Sequence, residues 1–199
     1  MIFIIIAITS LVSFLAFSKR EIMYKFQFNA YQIYHRKEIH RIITHAFLHA
    51  DWTHLIINMI VLYSFSNNVM AYFKYHFGDK ATLYIILLYF GSIIFSVLFS
   101  LVKNRNNPHY NAVGASGAVS ALVFTSIFFA PMHKIYLFGV VPIPGIIFGV
   151  IYMVYSYIQS KRSRDNIAHD VHFWGGIYGF VFPILLKPEL LDSFINQFI

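Results

Sequence analysis

The sequence predicts an all-α polytopic membrane protein: a bundle of six transmembrane helices forming one domain over residues 1–199. Three observations carry this expectation. The chain of 199 residues is 58% hydrophobic and 12% charged, whereas soluble domains carry roughly 25% charged residues. Its mean hydropathy is +0.63. Its apolar residues gather into six segments set apart by polar, Gly-marked or Pro-marked connections. The absence of cysteine removes disulfides, thiol catalysis and thiolate metal sites. The net charge of +7 comes from 15 Lys and Arg against 8 Asp and Glu. Between membrane helices such charges orient the chain and touch the lipid bilayer, and no nucleic-acid-binding signature accompanies them.

The first apolar segment runs from Ile2 to Phe17. It has no basic stretch before it and no small-x-small cleavage site, so it reads as a retained helix rather than a signal peptide. It falls short of the about 20 residues a span needs and borrows from its flanks. Ser18 to Ile43 is mixed and aromatic, with Tyr24, Phe26, Phe28, Tyr31 and Tyr34, and reads as an interfacial first loop. The second segment covers Thr53–Phe73, the third Ala81–Val102 and the fourth Ser116–Ala130. Pro131 ends the fourth, which is the shortest, so Ser116 is expected below the membrane surface, where irregular backbone must line a protein cavity. The fifth runs Phe138–Ile158, its start marked by Pro142, Pro144 and Gly145, and the sixth Ile167–Leu186.

Polar groups inside such segments are costly and mark function or interhelical hydrogen bonds. One cluster is His45, His49, His54 and Asn58, with His54 and Asn58 four apart on one helix face. A second is Gly114-Ala115-Ser116-Gly117, which opens the fourth segment. A serine there sits among backbone N–H groups lacking intrahelical partners, at the positive end of the helix dipole. Alone, the motif is a weak signal and fits a helix-capping serine with small packing neighbours better. The third is His169, His172, Gly175, Gly176 and Gly179. Each cluster follows an odd-numbered loop, and in a six-span chain those loops share one side. Gly117 with Ala121, and Gly175 with Gly179, form small-xxx-small faces that let two helices approach closely. His172 is then within reach of Ser116 as its base. His54, Asn58 and the Ser116 N–H are candidate donors to an oxyanion. Asp170 is two residues from His172 and turns away, so the expected unit is a Ser–His dyad. His45 and His169 are expected to support it by hydrogen bonds, and His49 to support it by bracing the first loop.

Taken together, Glu38-Ile39-His40-Arg41, the run His45-Ala46-Phe47-Leu48-His49-Ala50-Asp51-Trp52-Thr53-His54 with Asn58, Gly114-Ala115-Ser116-Gly117, and Asp165-Asn166-Ile167-Ala168-His169-Asp170-Val171-His172 with Gly175 and Gly179 resemble the rhomboid family of intramembrane serine proteases. The resemblance implies a six-helix basal fold with Ser116 as nucleophile, His172 as base, and His54 and Asn58 lining the oxyanion site. It implies cleavage of single-span membrane protein substrates in or beside their transmembrane helices, without cofactor or metal, by a multi-pass protein of the cell membrane. Two positions depart from the family pattern. His40 stands where members commonly have Trp before the loop arginine. Ser120 stands where many place an aromatic ring beneath the histidine, so His172 is expected to be held by hydrogen bonds or by an aromatic from elsewhere.

Orientation draws on two conflicting signals. All of the 15 Lys and Arg lie on the odd-loop side except Lys74, Lys80, Lys134 and Lys187, which by the positive-inside rule puts those loops in the cytoplasm. The resemblance implies the opposite and is preferred, because the first loop is long and interfacial. Two other functions compete with the protease. One is a metal-dependent oxygenase built on the pairs His45/His49 and His169/His172, whose spacings suit a metal but whose carboxylates are few, with Asp51, Asp165 and Asp170 nearby. The other is a non-catalytic binding relative, which loss of the serine or histidine would mark; both are present.

Overall fold

The computed structural model describes residues 2–137, 139–162 and 168–199. The chain is mostly helical. α1 (Ile2–Ser18) is followed by three short helices, α2 (Arg20–Phe26), α3 (Ala30–Arg36) and α4 (Arg41–Thr44), so the first loop is folded rather than extended. α5 (Trp52–Phe77) and α6 (Ala81–Lys103) form a hairpin closed by a 3₁₀ turn over Gly78–Lys80. Gly78 turns the chain at φ +54°, a conformation few residues besides glycine adopt readily. α7 (Ser116–Phe129) and α8 (Gly145–Arg162) are separated by a two-stranded antiparallel hairpin, β1 (Lys134–Leu137) and β2 (Val141–Pro144). α9 (His169–Leu186) and α10 (Leu190–Ile195) complete the chain.

Two expected boundaries change. The fifth segment does not start at Phe138, which lies outside the described residues. Its helix starts at Gly145, because Pro142 and Pro144 pair in β2, an edge where a residue without N–H is tolerated. The sixth segment's Ile167, and with it Asp165, Asn166 and the basic Arg164, also lie outside the described residues; α9 is seen from His169.

α7 is the central element. Gly117 through Phe128 are all buried, enclosed by α5, α6, α8 and α9. At 14 residues it is about 21 Å long, against a hydrocarbon thickness of about 30 Å. The outer surfaces are apolar: Phe3, Ile4, Ile8 and Leu11 on α1, Ile56, Ile57 and Ile60 on α5, and Val150, Ile151 and Val154 on α8 are all exposed. Apolar surface this extensive marks an interaction face. Conversely, Ser92, Ser96 and Ser100 recur one turn apart on α6 and are buried, as Thr9 and Ser13 are on α1. Each α6 serine is small enough to bring a neighbouring helix close; Ser92 and Ser96 return their hydroxyls to their own helix carbonyls. Among the described residues, the stretch Trp52–Lys103, which the turn at Gly78 folds into the α5–α6 hairpin, holds an 18-residue window of mean hydropathy 2.5, long and apolar enough to cross a membrane; Ile2–Ser18 and Ser116–Phe129 are apolar and shorter.

Candidate active site

The site sits at the N-terminal ends of α5, α7 and α9. α7 and α9 make the most extensive helix contact in the molecule, and their small residues explain it. A Cβ added at Gly175 would collide with the carbonyl oxygen of Gly117 and lie 2.9 Å from its carbonyl carbon. One turn further, a Cβ at Gly179 would collide with the Ala121 backbone. Thr125 adds a third rung by donating from Oγ1 to the Gly179 carbonyl at 2.7 Å. The contacts advance together along both helices, so α7 and α9 run parallel and start at the same level. Ser116 precedes Gly117 by one residue and His172 precedes Gly175 by three. The crossing therefore holds the first turns of both helices side by side. Val171 confirms the register: its Cγ1 would lie 3.0 Å from a Cβ at Gly117.

Ser116 is the first helical residue rather than the cap. Ala115 occupies the N-cap position without a side-chain cap, which corrects the capping-serine alternative. Gly114 at φ +120° is required twice, once for that conformation and once for space. A Cβ there would lie 2.8 and 2.9 Å from Cε1 and Nε2 of His54, and 3.7 Å from the Ser116 Oγ. His54 and Ser116 thus converge on the same bend. Asp51 caps α5 by accepting the His54 backbone N–H at 2.8 Å. The Ala50 N–H reaches Nδ1 of His54 through a long bond of 3.5 Å. With Nδ1 accepting, hydrogen-bond logic assigns the ring proton to Nε2, the atom beside Gly114. His54 accordingly offers a donor at this bend. Asn58, one turn on and buried, gives one amide proton to the His54 carbonyl at 3.1 Å and keeps a second.

His49, just before α5, packs against His54 and is tied to Ser13 of α1. The Ser13 hydroxyl donates to the Phe47 carbonyl at 2.9 Å, so at 2.9 Å from His49 Nδ1 its oxygen is the acceptor. The His49 proton is therefore on Nδ1. Its ring meets the His54 ring edge to face, centroids 4.9 Å apart. Burial, with His54 nearby, pushes the His49 pKa down to about 3. Burial also lowers His45 to about 4; its Nδ1 donates to the Arg41 carbonyl at 3.0 Å. The His45 carbonyl in turn accepts the Gly114 N–H at 3.0 Å.

Further ties bind the first loop to the segment before Ser116. Phe28 and Ala112 exchange backbone hydrogen bonds of 2.9 and 3.1 Å, and the Asn29 amide reaches Pro108 and Asn111 at 2.9 Å. Arg41 is buried, pairs with Glu38 at 2.6 Å, and donates to the carbonyls of Tyr24 and Gln27. His40, in the departing position, donates from Nε2 to the Lys25 carbonyl at 3.2 Å.

On the other side, His172 lies against two rings. Tyr152 of α8 stacks on it at 6.3 Å and 20°, and His169 meets it edge-on at 5.9 Å. The Tyr152 hydroxyl is 2.7 Å from the Ser120 Oγ. Asp170 points away from His172, as its position in the helix requires. It accepts from Ser100 and, at 3.5 Å, from Tyr110. Neither the Ser100–Asp170 nor the Ser13–His49 bond, nor the Tyr152 ring, has a local sequence signal. Only the serine stripe of α6 repeats at a readable interval of four. Among the described residues no three His, Asp or Glu side chains gather so as to hold a metal ion; Asp51 and Asp170 face a helix cap and a serine instead.

Residues 36–189 match the family model of the Rhomboid domain. RHOMBOID-like protein 12, mitochondrial, of Arabidopsis thaliana is 26% identical over 152 residues, which cover 69% of this chain and 43% of that relative. The chain thus spans under half of that relative's length. The match of 36–189 takes in the first-loop arginine, the α5 histidines, the Ser116 bend and the α7·α9 crossing, and the chain belongs to the rhomboid family.

Proposed function

We propose that this protein is an intramembrane serine protease. In this reading α1, α5, α6, α7, α8 and α9 are six membrane spans, and its substrates are single-span membrane proteins. The observation that carries the proposal is the parallel crossing of α7 and α9 through Gly117·Gly175 and Ala121·Gly179, which supports a Ser116–His172 dyad at one level of the bundle.

The reaction follows from the groups present. His172 takes the proton of the Ser116 hydroxyl as Oγ bonds to the scissile carbonyl carbon. The carbonyl electrons move to its oxygen, where the Ser116 N–H, the His54 Nε2–H and the second Asn58 amide proton are the available donors. Collapse breaks the C–N bond, and His172 returns the proton to the departing amine. Water, giving a proton to His172, then adds to the acyl carbon; the C–Oγ bond breaks, and His172 returns that proton to the Ser116 Oγ.

Co-expression with tagged single-span substrates tests the proposal. The parent releases a cleaved fragment, and Ser116→Ala, at equal abundance in the membrane, releases none. Fragment of the same size from Ser116→Ala would refute it.

A further inference from the structure

We infer that Tyr152, anchored by Ser120, is the residue that positions the His172 imidazole for proton transfer; the inference rests on the dyad reading above. A histidine ring turns broadly about its terminal torsion, so a base in the first turn of α9 needs a neighbour to fix its plane. Tyr152 provides one: its ring stacks on His172 at 20°. Tyr152 is itself fixed at its far end, where the hydroxyl meets Ser120 Oγ at 2.7 Å. Ser120 lies one helical turn after Ser116 on the same face of α7. The ring that orients the base is thus referenced to the helix that carries the nucleophile, even though it comes from α8.

The surroundings favour this role over simple packing. The outer residues Val150, Ile151 and Val154 of α8 are exposed. α8 touches α7 far less than α9 does. Its close approach to α7 otherwise runs through Gly149, against Phe124 and Ile127. Among the described residues, the Ser120–Tyr152 bond is a polar tie between two helices that otherwise meet through Gly149, Phe124 and Ile127. A small residue at 120 also leaves the space that the Tyr152 ring fills.

The test is a double-mutant cycle on the full chain, with cleavage kinetics and fluorophosphonate labelling in one detergent. Tyr152→Ala should lower kcat by about 10²-fold, the order expected when a reacting group is misplaced, with KM within about threefold. Tyr152→Phe keeps the ring and should lose only about 3- to 10-fold, the worth of one neutral hydrogen bond. Ser120→Ala should lose the same amount, and Ser120→Ala/Tyr152→Phe no more than either alone, because both remove one bond. Labelling of Ser116 should fall in parallel with kcat. Parental kcat in Tyr152→Ala, or additive losses in the double variant, would overturn the inference while leaving the protease reading intact. Cleavage that persists in Ser116→Ala would overturn both. Tyr152→Phe tests the inference even where Tyr152→Ala fails to fold: a loss confined to KM or to thermal stability contradicts positioning.

Discussion

The α7·α9 crossing and the first loop deliver groups to the same end of the bundle by opposite means. The crossing is backbone against backbone: Gly117 on Gly175 and Ala121 on Gly179, reinforced by a side-chain hydrogen bond from Thr125. The first loop is polar and redundant. Arg41 bonds Glu38 and two carbonyls, His45 bonds Arg41 and Gly114, and Asn29 and Phe28 reach the segment before Ser116. A contact made by the absence of side chains cannot yield to an added one, since backbone does not move aside. A network of several hydrogen bonds loses one member at a cost of about 1 kcal/mol. The crossing should therefore be brittle and the loop tolerant.

The largest effect is expected at the crossing. Gly179→Leu or Gly175→Leu should abolish cleavage and lower thermal stability together, because the side chain wedges α7 from α9. Either variant with full activity and an unchanged melting temperature breaks the comparison at its first term. Next comes Asn58→Ala, which removes a donor without touching the crossing. Loss of one oxyanion donor costs about 10²–10³ in rate, so cleavage should be slow but measurable, with stability nearly parental. Parental cleavage would leave Asn58 as an interhelical hydrogen bonder alone.

Acid should then weaken the loop selectively. His45 and His49 titrate near 4 and 3 in the folded chain, below the 6.5 of an unfolded histidine. Between these values the unfolded chain binds more protons, so stability is complete above about pH 6.5 and declines as pH falls toward 4. The slope is about 1.4 kcal/mol per pH unit for each proton taken up. Thermal melts from pH 7.5 to 4.5 measure it, and His45→Asn should flatten the curve; an unchanged slope would remove His45 from the explanation. The smallest effect is expected from Ser13→Ala. It frees the His49 tautomer but leaves His54 capped by Asp51, so cleavage should fall less than about 10-fold. A loss as large as that of Asn58→Ala would make the α1 contact part of the oxyanion site rather than its support.

The contrast also separates what the sequence makes legible from what it hides. Small residues four apart announce a close helix contact, so Gly117, Ala121, Gly175 and Gly179 could be paired before any coordinates. The Ser92, Ser96 and Ser100 stripe on α6 carries a weaker form of the same signal, because serine in an apolar run also serves as a lone helix hydrogen bonder. The helix start at Ser116 and the His54–Asn58 spacing were legible, since both are local; the left-handed bend at Gly114 was not. The three helices inside the first loop were not: they are short, mixed in composition, and held by distant carbonyls. Nor was Tyr152 beneath His172, because residue 152 reaches 172 only through the packing of α8. The start of α8 at Gly145 was hidden because Val141 and Ile143 continue the apolar run, yet belong to β2 rather than to the helix.

The most direct measurement is a fluorophosphonate labelling time course on the parent, Ser116→Ala, His172→Ala and the double variant, with the labelled residue mapped. Labelling of the parent at Ser116, and none above background in all three variants, is the expected result, since nucleophile and base act as one unit. Labelling of His172→Ala at the parental rate would show that the crossing of α7 and α9 does not set His172 to activate Ser116.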